Sequence, residues 1–242
     1  MIEQILTPWR WQNLFQEWPA LLRAFLTTLE ASVLALILAL VLGVIFGLMS
    51  TSHHRLPRAV ARVYVEFFQN TPLMIQLFFV FFALPYAGVS LPSFTCGVLC
   101  VGVYTGAYIS EVVRAGIQSI PQGQFEAAYS QGFTYLQTML LIILPQTVKI
   151  ILPPLVNQCV NLIKNTSVLA MIAGGDLMYV ANNWATNGSA SYGPAYLISG
   201  VLYFCLCFPL STWARRYEEK LKRQDSQLSA RPTRPTGKEA AA

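Results

Sequence analysis

Residues 26–49 read LTTLEASVLALILALVLGVIFGLM, and this run decides the class of fold. Glu30 is its one ionisable residue, and it falls near the start of the run. A helix needs about 20 apolar residues to cross the hydrocarbon core of a bilayer, and this run supplies them with room to tilt. The rest of the chain agrees. Of 242 residues, 55% are hydrophobic and 11% charged, whereas a soluble domain carries about 25% charged residues. The mean hydropathy is +0.49. The expected fold is an all-α integral membrane protein, one bundle of spans with no large attached domain. The residues before the run hold Glu3, Arg10 and Glu17 among prolines and tryptophans. They lack the basic start and short apolar run of a removable leader, so span one is expected to stay in the mature protein.

Working outward, four further runs complete a set of five spans. They cover about Leu73–Tyr86, Phe94–Val113, Ile150–Ile172 and Ala195–Trp213. Arg55, Arg58 and Arg62 follow span one, Arg114 follows span three, Lys149 precedes span four, and Arg215, Arg216, Lys220, Lys222 and Arg223 follow span five. The stretches 85–92 and 173–194 hold no Lys or Arg. Basic loops stay in the cytoplasm, so the N-terminus is expected outside and the C-terminus inside. One transmembrane domain is expected over 1–223, with 1–23 external and a cytoplasmic loop near 114–145. The polar, proline-interrupted tail 224–242 is expected to be disordered and cytoplasmic. Residues 174–194 read as an external cap.

Between spans one and two, Arg55, Arg58, Arg62, Glu66 and Gln69 recur at steps of three and four. That is the polar stripe of a helix expected to lie at the cytoplasmic interface before span two. No internal repeat appears, so an inverted-repeat carrier has no support.

Several function classes fall away. The net charge of +5 sits at span ends, where the membrane accounts for it better than nucleic acid does. The five cysteines, Cys96, Cys100, Cys159, Cys205 and Cys207, lie in apolar runs without metal-site spacing, and His53 and His54 are adjacent in a basic loop. No metal site is expected, and no Ser or Cys with a positioned base suggests an enzyme. A stand-alone channel or secondary transporter would leave the loop after span three unexplained.

That loop reads AGIQSIPQGQFEAAYSQGFTYLQTMLLIILPQ from Ala115 to Gln146. Pro121 can open a short helix over Gln124–Gln131, and Gly132 can end it. Thr134 with Gln137 is a capping-box pattern that starts a second helix. The result is a cytoplasmic hairpin bearing the small residues Ala127 and Ala128 and one acid, Glu126: a compact docking knob.

Glu126-Ala127-Ala128, Gly132 after three residues, then Ile142, Ile143, Leu144 and Pro145 resemble the EAA signature of ABC-importer permeases without a gap. Segments 64–73, 115–124 and 161–167 are similar to the branch that moves polar amino acids (histidine, glutamate, glutamine, arginine, opines). The matching segments cover roughly Leu26 to Arg216. The resemblance implies a type I ABC importer permease fold in the bacterial cytoplasmic (inner) membrane. It makes the hairpin the coupling helix, with Glu126, Ala127, Ala128 and Gly132 as its carriers.

The chain has no GxxxxGK[ST] loop. ATP and magnesium are therefore expected on a separate pair of ATP-binding cassette subunits. The resemblance adds a second permease chain, identical or different, and an extracytoplasmic amino-acid-binding protein.

Polar residues inside spans need a reason, because ionisable groups at a helix centre cost about 2.5–3.5 kcal/mol. Asn157, Asn161 and Asn165 recur at i, i+4 and i+8 with Lys164 beside them, and with Gln158 and Gln76 they are the expected substrate pathway. Interhelical amide bonding is the structural alternative. Glu111 and Arg114 are spaced to pair along span three. Relatives that take cationic amino acids often carry a carboxylate beside the position of Asn157, where this chain has Gln158. The resemblance therefore leans to acidic or amide amino acids, the alternative being a permease for arginine, histidine or lysine.

Overall fold

The computed structural model describes residues 8–186 and 192–229, and the described residues form helices and no strand. Helix α1 covers Pro8–Gln16, α2 Trp18–Ser50, α3 Arg55–Asn70 and α4 Leu73–Phe78, the last continuing as a π turn and a 3₁₀ turn to Ala87. Helix α5 covers Ser93–Gln118, α6 Gln122–Ser130 and α7 Tyr135–Thr138. After a π turn come α8, Leu144–Asn165, with a 3₁₀ extension to Ile172, then α9, Leu177–Thr186, and α10, Tyr192–Ser229.

Among the described residues, four helices are long and apolar enough to cross a membrane, and the bent pair formed by α3 and Leu73–Ala87 brings the number to five. The five-span expectation holds, with longer helices than the apolar runs alone marked out. Helical geometry carries on past the apolar stretch wherever backbone hydrogen bonds can continue, so hydropathy underestimates helix length.

Small residues set the packing. Ala24, Thr28, Ala31, Ala35, Ala39, Gly43 and Gly47 form the buried face of α2. Without side chains in the way, α5 lies directly on it: Gly43 meets Ile109, Gly47 meets Val113, and Gly102 meets Leu38. The constant register shows that α2 and α5 run parallel, as spans one and three must. Elsewhere along α5, Gly97 meets Leu169 and Gly116 meets Ile151, so α8 is antiparallel. Close approach of small residues is how helices associate where both sides of the interface are equally apolar.

Two expectations are corrected. Span four does not begin at Ile150: the helix starts at Tyr135 within the hairpin and runs on through Pro153 and Pro154. Proline at membrane depth is tolerated when neighbouring helices and polar groups re-satisfy the freed carbonyls. The tail does not lose structure at Gln224, because α10 continues to Ser229; residues 230–242 lie outside the described residues.

Within the expected cap at 174–194, Leu177–Thr186 forms helix α9. Leu177, Ala181 and Trp184 of α9 pack with Leu14, Leu21 and Ala195 in a second core at the N-terminal end of α2. Asp176 is fully buried there, and its Oδ2 accepts from the Met178 amide at 3.0 Å, capping α9. Burial pushes its carboxyl up to about 6. Residues 187–191 and 1–7 of the expected external segments lie outside the described residues.

The chain bends by 100° between α3 and Leu73. The Gln76 amide braces the bend, donating to the Phe68 carbonyl at 3.2 Å, the Thr71 carbonyl at 3.1 Å and Thr71 Oγ1 at 2.7 Å. Helix α3 is amphipathic as expected, and Arg58, Arg62, Glu66 and Gln69 of its polar stripe line an open cavity against α5.

Candidate coupling hairpin and polar cleft

The hairpin is assembled by local rules. Gly132 has φ +83°, the left-handed region that a residue with a Cβ enters only at a cost of about 1–2 kcal/mol. With it, the Phe133 amide reaches the Ala128 carbonyl at 3.1 Å and the Gly132 amide reaches the Tyr129 carbonyl at 3.0 Å. This is a Schellman closure, which satisfies the last carbonyls of α6. One residue later the capping box is present: the Thr134 amide donates to Gln137 Oε1 at 2.9 Å and the Gln137 amide donates to Thr134 Oγ1 at 3.4 Å.

Glu126, Ala127 and Gly132 are exposed, so they form the presented surface of the knob. Ala128 is 2% exposed and turns into the chain's own core. Two residues along a helix is about 200° of rotation, so Glu126 and Ala128 cannot share a face. Ala128 lets the knob sit close to the bundle. Behind the knob lies a cavity of about 630 Å³ between α6, the end of α5 and the turn after α2, where His53 stands edge-on to Tyr135 at 5.3 Å.

The second element is a cleft between α5 and α8. Gln158, Asn161, Lys164 and Asn165 line a space of about 420 Å³ opposite Tyr104, Thr105 and Tyr108. The two tyrosine hydroxyls lie 3.0 Å apart. Through Tyr108 and Gln158 this space adjoins one of about 540 Å³ that reaches Glu111, Arg114 and Gln69. Arg114 grips Glu111, with Nη2 to Oε2 at 2.6 Å and Nε to Oε1 at 3.0 Å, and its Nη1 donates to Gln118 at 2.7 Å. The pair expected from spacing is formed.

The structure thus brings together four of the six expected pathway residues. Asn157 is exposed but does not line the cleft, and Gln76 is committed to the bend. Sequence reasoning missed Tyr104 and Tyr108. Their spacing of four on span three was the available signal, masked by the apolar residues around them.

The family model for binding-protein-dependent transport system inner membrane components matches residues 39–223, which contain both the hairpin and the cleft. The chain belongs to that family. It is 42% identical over 87% of its length to a probable glutamine ABC transporter permease of Bacillus subtilis, covering 97% of that relative. It is 34% identical to the L-cystine transport system permease of the same organism, over 89% of this chain and 92% of the relative. The solved structure of an amino acid ABC transporter with histidines superposes with a TM-score of 0.78 at 30% identity, over 86% of this chain and 96% of that one. The methionine transporter in an inward-facing form shares the fold, with a TM-score of 0.68 at 18% identity.

As a binding-protein-dependent permease of the amino-acid branch, the chain is the membrane component of an ABC importer: a transport subunit with the type I permease fold. It works with an ATPase and a binding protein, as permeases of this family do.

Proposed function

We propose that this permease carries a polar amino acid, with acidic or amide amino acids preferred over basic ones. The observation that carries the reading is the cleft of Gln158, Asn161, Lys164 and Asn165 facing two tyrosine hydroxyls. It offers amide and hydroxyl partners and one cation, while the nearest carboxylate in its continuation, Glu111, is held by Arg114. A cationic side chain would find no free acid in it. The likeness to a glutamine permease supports the same substrate class.

In this proposal the N-terminus lies outside and the C-terminus in the cytoplasm, as the basic loops dictate. Two permease chains face each other across their clefts above two ATPase chains. Glu126, Ala127 and Gly132 seat each hairpin in an ATPase groove, with Ala128 supporting them from behind. ATP and magnesium reside on the ATPase. Its closure moves the hairpins, and through the continuous helix from Tyr135 that motion reaches Asn161 directly.

The test is reconstitution with the ATPase and binding protein in vesicles. Glutamine or glutamate uptake should exceed arginine uptake, and Glu126→Lys should end both. Arginine uptake as fast as glutamine uptake would remove the preference. Impermeant labelling in intact cells, on a cysteine-free background, should reach Ser90→Cys and spare Gln124→Cys; the reverse pattern would invert the topology.

A further inference from the structure

Arg58, Arg62 and Glu66 of α3 line a space set between the cavity behind the hairpin, with which it shares Arg58 and Gln118, and the continuation of the cleft. A helix that only rests on a membrane turns its cations toward the headgroups and buries its apolar face in the acyl region. In α3, Leu56, Val60, Val63 and Phe67 form an exposed apolar stripe, while Arg58, Arg62 and Glu66 line an open cavity of about 440 Å³ against Glu111 and Arg114 of α5. That volume is within the range of small-molecule pockets, about 300–1,000 Å³.

The two ion pairs in this cavity are unlike. Arg114 is bound to Glu111 at 2.6 Å and also to Gln118. Arg62 and Glu66 only approach to 3.8 Å, with side chains 73% and 69% exposed. A loose exposed pair contributes little to stability, so its two charges can turn to a ligand at small cost. They stand one helical turn apart and offer one cation and one anion on the same wall. The cavity shares Gln69, Glu111 and Arg114 with the cleft segment that continues from Gln158. A solute leaving the cleft at the hairpin end would pass through it.

We infer that this cavity is a second binding site for a zwitterionic amino acid, its α-carboxylate meeting Arg58 and Arg62 and its α-ammonium meeting Glu66. The inference rests on the proposed transport of a polar amino acid. It adds an exit site at which accumulated product can slow further import.

The experiment uses the whole importer in vesicles, oriented with the hairpin side inside, and preloads them with L-glutamine, N-acetyl-L-glutamine or inorganic phosphate. Internal L-glutamine should slow binding-protein-dependent uptake, whereas the two ligands lacking the ammonium should do so weakly. Arg62→Gln and Glu66→Gln should each raise the half-inhibiting glutamine concentration about tenfold, the scale of one lost charge-assisted hydrogen bond. Arg62→Lys should recover part of the effect. Equal inhibition of wild type and both variants would overturn the site, and equal potency of phosphate would reduce it to an anion patch. Failure of the wild-type importer to take up any polar amino acid would instead sink the proposed function.

Discussion

The hairpin and the cleft are built by opposite logics. The hydrogen bonds that shape the hairpin join residues within five positions of each other: Ala128 to Phe133, Tyr129 to Gly132, Thr134 to Gln137. The cleft joins Tyr104 and Tyr108 to residues far along the chain, from Gln158 to Asn165, and exists only because α8 lies against α5. Local hydrogen-bond rules therefore specify the hairpin proposed to meet the ATPase, while helix packing specifies the cleft proposed to meet the solute. Substitutions should separate the two.

The largest effect is expected at Gly116. Any Cβ there would collide with the Ile151 side chain where α5 and α8 touch. Gly116→Leu should force the helices apart, a cost above the ~1–3 kcal/mol typical of overpacking because a whole side chain must be accommodated. Little assembled importer should be recovered on gel filtration. Normal assembly would mean that the cleft does not depend on this contact.

Next comes Gly132→Val, which loads a β-branched residue onto φ +83° in open space. The permease should insert and assemble, yet uptake and binding-protein-stimulated ATP hydrolysis should both fall to background. Wild-type stimulation in this variant would show that the hairpin is not the lever.

A smaller and more discriminating effect is expected from two asparagines one turn apart. Asn161 lines the cleft and Asn157 does not. Asn161→Leu should lower uptake about tenfold, as loss of a hydrogen bond to a passing polar solute would. Asn157→Leu should stay within about twofold of wild type. Equal losses would return both residues to the single polar face that their i, i+4 spacing suggests.

The smallest effect belongs to Thr134→Ala. It removes the cap oxygen that the Gln137 amide uses and should cost about 1 kcal/mol, fraying the start of α7. Hydrogen exchange at residues 135–138 should speed up, with uptake reduced by less than half.

The sequence by itself determined the membrane class, the count of five spans, the Glu111–Arg114 pair and the hairpin down to the left-handed Gly132. Each of these depends on hydropathy over one helix length or on neighbours within a few residues, and such signals survive without three-dimensional information. The tertiary structure alone decided which polar side chains meet. A helix wheel gives Asn157, Asn161 and Asn165 one face, but the angle at which α8 sits on α5 shifts the lined edge to Gln158, Asn161 and Asn165. It likewise engaged the Gln76 amide at the turn, because the 100° bend after Asn70 leaves carbonyls that this amide satisfies. It buried Ala128, and it set Arg58 and Arg62 along an open cavity against Glu111 and Arg114. Periodicity fixes which residues share a stripe; only the packing of one helix on another fixes which way the stripe looks.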